Sequence, residues 1–313
     1  MPADISVIST EKSHAVLINE ATWATVPGSP TYVHIPVTSC NVRFKPTRKT
    51  AQARTGLYQR HHGRNVKGHP TGNIVCPLYG WIPAGAGMSA AQYMLEWGSL
   101  DHESVFPRSK ILEWAVGTNI ANRRHLGLRV NSLTLSGGDG GITLTLELIG
   151  QSSAGFATAQ TLPSDREKLV EFLFEDAVFT LDGDVTPIGS FEWKIARGLQ
   201  PQYWNNNNPQ SLPKTSWVET LSVTPPKQSA AWEDLRDALG MTEVAASLVL
   251  KGLHNGTGGA GTDWTVLTQT FPRLSLIDVD SQESNGIYSE PLSFDVLKPD
   301  TADLSSTSAW TEV

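Results

Sequence analysis

Only two of the 313 residues are cysteine, Cys40 and Cys76. Two thiols cannot make the disulfide framework of a small secreted scaffold. They are left to pair if their strands lie side by side, or to serve as two small buried apolar groups. No apolar run reaches the ~20 residues of a membrane-spanning helix. The opening Met1-Pro2-Ala3-Asp4 lacks the basic start of a signal peptide. Acid is missing over a long span, with no Asp or Glu from Ala21 to Leu95. The net charge of −7 argues against a chain devoted to gripping nucleic acid.

The acid-free span carries Arg43, Lys45, Arg48, Lys49, Arg54, Arg60, Arg64 and Lys67. Of 24 basic and 31 acidic residues, the remainder of the chain therefore holds 16 against 31, or −15. Such segregation lets a chain attract its own copies, basic patch to acidic body. The length exceeds one comfortable core and predicts two domains.

The constellations that carry chemistry are also missing. His61, His62 and His69 with Cys76 match no zinc-finger spacing. Gly256 to Gly261 has the form G-x-G-x-x-G, but Trp264-Thr265-Val266-Leu267 follows as strand, where a dinucleotide site needs a helix. Asp278, Asp280 and Glu283 lack the glycine and the terminal glutamate of a calcium loop. Asp182 and Asp184 flank a turn glycine. No serine stands in a G-x-S-x-G setting. The expectation is no enzyme, no metal and no cofactor.

What is present is alternation. From Leu126 to Gly150, apolar residues recur at every second position: Leu126, Leu128, Val130, then Leu133, Leu135, then Ile142, Leu144, Leu146, Leu148. One buried and one wet face predict a β-hairpin turning at Gly137 to Gly141. The parity flip between Val130 and Leu133 predicts a β-bulge near Asn131-Ser132. Ser89 with Gln92 predicts a capping box, opening a helix that Gly98 closes. Residues 45–70 are polar, basic and read as a long projecting loop between strands. Gln151 to Ser164 reads as a linker.

A second unit follows. Phe172, Phe174, Val178 and Phe179 are strand-like, Phe191, Trp193 and Ile195 alternate, and a long loop spans residues 196–214. A returning strand covers Trp217 to Val223. Ser229 opens a second helix with the stripe Ala231, Leu235, Ala238, Leu239. Strands are predicted over Ser247 to Leu253, Trp264 to Arg273, Leu274 to Val279 and Leu292 to Leu297, with a polar tail from Asp300. Both halves thus run strand, long loop, strand, short helix, strand, hairpin. Ser89-Ala90-Ala91 with Leu95 recurs as Ser229-Ala230-Ala231 with Leu235. The expected fold is mainly β: two tandem β-sandwich or barrel-like domains, 1–155 and 156–313, each with one short α-helix.

Three segments carry a family resemblance: Asn19 to Thr25 (NEATWAT), Gly127 to Ser136 (GLRVNSLTLS), and Ile142 to Gln151 (ITLTLELIGQ). Together with the long loop after the first strands, they resemble the tail tube proteins of bacteriophages with long non-contractile tails, in the enlarged two-domain kind. The resemblance implies a structural virion protein. Three chains would form a pseudo-hexameric ring, inner strands would join into a barrel, and stacked rings would make a tube that conducts DNA. It implies the virion tail as location and the host cytoplasm during assembly. It also implies a tape measure protein in the lumen, and terminator and distal tail proteins at the ends. The ring-to-ring loop would be Arg48, Lys49, Arg54, Tyr58, Arg60, His61, His62, Arg64 and Lys67, with a second contact at Tyr203, Trp204, Asn205 and Asn206. DNA is held by basic surfaces, so acidic residues should face a conduit, with Asp139 and Glu147 as candidates. The alternative is a virion-attached β-sandwich binding a host carbohydrate or protein, motivated by ten tryptophans and the Tyr203-Trp204 loop.

Overall fold

The computed structural model describes residues 13–50, 63–80, 88–100, 104–116, 122–156, 171–225, 237, 243–254, 263–279, 282–284, 287–289, 291–298 and 305–312. The chain is mainly β, with one α-helix among the described residues. The first half holds β1 (Ser13–Asn19), β2 (Tyr32–Ile35), β3 (Ser39–Cys40), β4 (Arg43–Thr50), β5 (Gly63–Pro77), α1 (Ala90–Ser99), β6 (Lys110–Val116), β7 (Arg123–Gly137), β8 (Thr143–Ile149) and β9 (Ser152–Gly155). The second holds β10 (Val178–Leu181), β11 (Asp184–Val185), β12 (Ser190–Ala196), β13 (Val218–Thr224), β14 (Val244–His254), β15 (Asp263–Val279), β16 (Gln282–Ser284), β17 (Ile287–Ser289), β18 (Leu292–Val296) and β19 (Thr307–Glu312).

The alternating stretch forms the β7–β8 hairpin, and its apolar set is buried from Leu128 to Leu148. The register shifts between Val130 and Ser132, where the parity flips. This bulge and the strand's twist let one strand serve two layers. The first half of β7 pairs with β6 and β9, and its second half pairs with β8. The outer layer then runs β2–β1–β6–β7–β9, and the inner layer runs from β3 and β4 through β5 and β8 to β7.

The second half repeats this pattern. The first half of β15 pairs with β14 and β19, and its second half with β18. The outer layer is β11–β10–β14–β15–β19, and the inner layer is β12–β13–β18–β15. A register shift falls between Leu276 and Asp278, the counterpart of the β7 bulge. Apolar residues of both repeats form one continuous core. The repeats join edge to edge, because β12 pairs antiparallel with the second half of β7, from Ser132 to Gly137.

Several sequence expectations are corrected. Ser89 does cap α1, its Oγ accepting from the Gln92 backbone N–H at 3.0 Å, but the Gln92 side chain donates to Glu96 and not back to the cap. Gly98 does not end the helix. A Cβ there would lie 2.2 Å from Leu133 Cδ1, so the glycine lets α1 close onto β7. Strands β4 and β5 run well into the segment expected to be loop, because backbone ladder bonds hold a hairpin without apolar alternation. The expected linker begins as β9, paired with Arg123–Leu126. Residues 157–164 of it lie outside the described residues. The two strands expected over 264–279 are one, because β15 passes between layers without a turn. The polar tail contains β19, which is held by an edge ladder and by Trp310 packed against the core and edge-on to Phe172. The second helix lies outside the described residues except Asp237, which is helical.

Candidate assembly surfaces

The E-x-x-W segment folds onto β7. Glu20 accepts from the backbone N–H of Gly127 at 2.8 Å and of Ala24 at 3.1 Å, while Trp23 Nε1 donates to the Gly127 carbonyl at 3.1 Å. Gly127 has φ +65°, and a Cβ there would meet Trp23 Nε1 at 2.7 Å. Beside it, the buried Arg129 donates to the Leu212 carbonyl at 2.7 Å and sits between the rings of Trp23 and Phe106. Burial pulls its guanidinium down to about 10, opposed by the Glu20 charge.

Asn131, in the β7 bulge, gathers both repeats. Its carbonyl accepts from the Arg197 N–H at 2.8 Å and its Oδ1 from the Leu199 N–H at 2.9 Å, while its Nδ2 donates to Glu147 at 3.1 Å. The fully buried Arg197 donates to the carbonyls of Gly98, at 2.8 Å, and Leu100 at the end of α1. A cation is well placed among those carbonyls, which a helix end leaves without intrahelical partners. The second long loop therefore grips the first repeat.

Within that loop Tyr203 is half-buried. Its hydroxyl and His69 Nδ1 share a hydrogen bond of 2.5 Å, and Lys67 Nζ stands 5.0 Å from its ring. The Asn207 carbonyl accepts from Gly68 N–H at 2.9 Å, with Asn205 and Asn206 exposed beside it. Trp204 is 70% exposed, whereas Trp97 and Trp193 are buried. Tyr203 is thus committed to a contact inside the chain, and Trp204 is offered to solvent.

The basic residues lie on and beyond the β4–β5 hairpin. Arg48 and Lys49 sit opposite Asn65 and Arg64 in the ladder, and Lys67 is exposed opposite Thr47. Arg54, Tyr58, Arg60, His61 and His62 lie outside the described residues, as do the glycine-rich segment 256–261 and Asp280. Asp278 is on β15, Glu283 on β16, and Asp182 and Asp184 flank the β10–β11 turn. His69 is turned to Tyr203, while Cys76 Sγ lies 3.5 Å from Met94 Sδ, so the two do not converge. Both cysteines are free, and burial raises the Cys40 thiol to about 11 and Cys76 further. Among the described residues no cluster of metal-ligating groups occurs and no helix is long and apolar enough to cross a membrane.

The wet face of the inner layer is continuous across the β7–β12 junction. It presents Thr143, Thr145 and Glu147 from β8, Ser132, Thr134 and Ser136 from β7, Glu192 and Lys194 from β12, Thr220 and Ser222 from β13, and Ser293 and Asp295 from β18. Arg43 and Lys45 of β4 alternate with the buried Val42 and share this face, so hydroxyls dominate, with three carboxylates against three cations. Glu147 is exposed on this face, and Asp139 is exposed at the β7–β8 turn. Glu192 and Asp295 were missed in the sequence, although the alternation of Phe191-Glu192-Trp193 and of Phe294-Asp295-Val296 places them opposite the core.

Both ends of this inner sheet are open. Strands β3 and β4 pair only with β5 among the described strands, and no described strand lies beside Ser275–Val279 on the side away from β18. No curated protein matches the chain. A family model described as phage tail tube protein matches residues 10–271, most of the chain, and with this mainly-β architecture the chain belongs to the phage tail tube proteins.

Proposed function

We propose that this chain builds the tail tube as a trimeric, pseudo-hexameric ring, with residues 1–155 and 156–313 as its two tube domains. The observation that supports this best is the single sheet that joins the repeats edge to edge and, among the described strands, leaves an unfilled edge at each end. Unfilled strand edges are templates for further pairing, and two different edges make a head-to-tail contact that closes into a ring when the rotation allows. Three chains with two repeats each give six similar units.

The wet face just described lines the lumen in this reading. Its cations, Arg43, Lys45 and Lys194, are interspersed with hydroxyls and offset by Glu147, Glu192 and Asp295, so DNA phosphates meet no dense basic track and passing DNA is not held. The basic hairpin beyond Arg48 and Lys49, with the exposed Trp204 nearby, contacts the next ring. A tape measure protein occupies the lumen before DNA does, and terminator and distal tail proteins close the ends. No catalytic step is assigned. Rings released from tubes by mild treatment should have a native mass of about three times 33.9 kDa. A particle of one chain, or of six, under conditions that preserve rings contradicts the trimer.

A further inference from the structure

We infer that β4 of one copy completes β15 of the next in a defined antiparallel register that sets Lys45 opposite Asp278 and Phe44 opposite Val279. The inference rests on the ring proposed above. It takes the seam inside the chain as the template for the seam between chains.

The register follows from matched positions. The last pair before the bulge is Val130–Leu148 in the first repeat and Leu276–Phe294 in the second. Ser132 and Leu133 therefore correspond to Asp278 and Val279. Leu148 faces Gly72, and Phe294 faces Leu221, so Gly72 corresponds to Leu221. Trp193 faces Leu221. The ladders Cys40–Ile74 and Arg43–Thr71 place Val42 opposite Gly72. Val42 thus corresponds to Trp193, Phe44 to Ile195 and Lys45 to Ala196. Inside the chain, Ile195 pairs with Leu133 and Ala196 with Ser132. Carried across, Phe44 meets Val279 and Lys45 meets Asp278.

Two independent observations agree. Ile195, covered by β7, is 1% exposed, while its counterpart Phe44 is 39% exposed on an edge with no described neighbour. The small neutral Ala196–Ser132 pair of the internal seam becomes an exposed lysine and an aspartate at opposite ends of the chain. That charge pair fixes the register, because opposite charges attract directly across a ladder.

The test uses the full chain in a Cys40→Ser background, Cys76 being buried. Phe44→Cys with Val279→Cys should link neighbours on mild oxidation into a covalent ladder ending at three chains. Phe44→Cys with Ser275→Cys, roughly 13 Å off register, should not. Lys45→Asp or Asp278→Lys alone should raise the concentration needed for rings about tenfold per seam, and the two together should restore it. Where the wild-type chain forms rings, a 44–279 variant that assembles but stays unlinked, or a 44–275 variant that links instead, overturns the seam alone. Folded single and double charge variants that assemble equally poorly do the same. A wild-type chain that never forms rings overturns the proposed function, and the seam with it.

Discussion

At Gly127 a sequence motif acquires its physical meaning. Glu20 and Trp23 clamp both backbone groups of a left-handed residue on β7, and only glycine adopts that φ with Trp23 Nε1 so close. Gly127→Ala should lose about 1–3 kcal/mol from backbone strain alone, and thermal unfolding measures it; an unchanged midpoint contradicts the clamp. Next to it, burial, aided by the Arg123 charge, holds the His125 imidazole down to about 4, with Ser153 Oγ 2.7 Å from Nδ1. The unfolded chain takes up that proton below its ordinary value near 6.5 and the folded chain does not. This contribution is therefore full above pH ~6.5 and is lost as pH falls toward 4, on the order of 3 kcal/mol. Glu20, raised by burial, works in the opposite direction. His125→Gln against the parent chain isolates the imidazole: its stability should fall less on acidification between pH 6.5 and 4, and parallel curves contradict the assignment. The motif was legible in the sequence as a string of residues. Its partner, 104 positions along the chain, was not.

Among the elements, the long strands were legible and the borrowed ones were not. The β7–β8 hairpin and its bulge follow from alternation, because one face of each strand is buried by its own repeat. Strands β9 and β19 lack apolar alternation and exist because β7 and β15 offer them an edge, with Trp310 alone anchoring β19 to the core. In the C-terminal segment, hydroxyls also secure the element: Ser305 and Ser306 donate to the buried Glu219, which accepts from Trp193 Nε1 as well. No local pattern announces such contacts. The same holds for Arg197, whose partners at the end of α1 lie nearly 100 residues earlier. Arg197→Met should leave two buried carbonyls without their charged donor, costing about 2–4 kcal/mol. Denaturant unfolding measures the cost, and hydrogen exchange should show the last turn of α1 opening first. Equal exchange protection in the variant contradicts this coupling between the repeats.

Over the whole molecule, charge segregation and a recurring order of elements were visible in the sequence, but the open sheet edge was not. An unfilled strand edge is a property of pairing, and pairing partners are not written locally. The wet face of the inner layer shows the same division: the place of Glu147 followed from the hairpin, whereas Glu192 and Asp295 joined it only when β12 and β18 entered the same sheet. The basic segment beyond Arg48 and Lys49 is expected to act between rings, while the base of β4 closes the seam within them. Replacing Arg54, Arg60 and Arg64 with Glu should shorten tubes to single or few rings at unchanged thermal stability, as electron micrographs can score; tubes of ordinary length contradict that role.

The most direct measurement is electron microscopy of the concentrated purified protein over a range of salt. Hollow tubes are predicted, with end-on views of six similar lobes made by three chains. A single-chain globule that remains monodisperse at every concentration and salt contradicts the account.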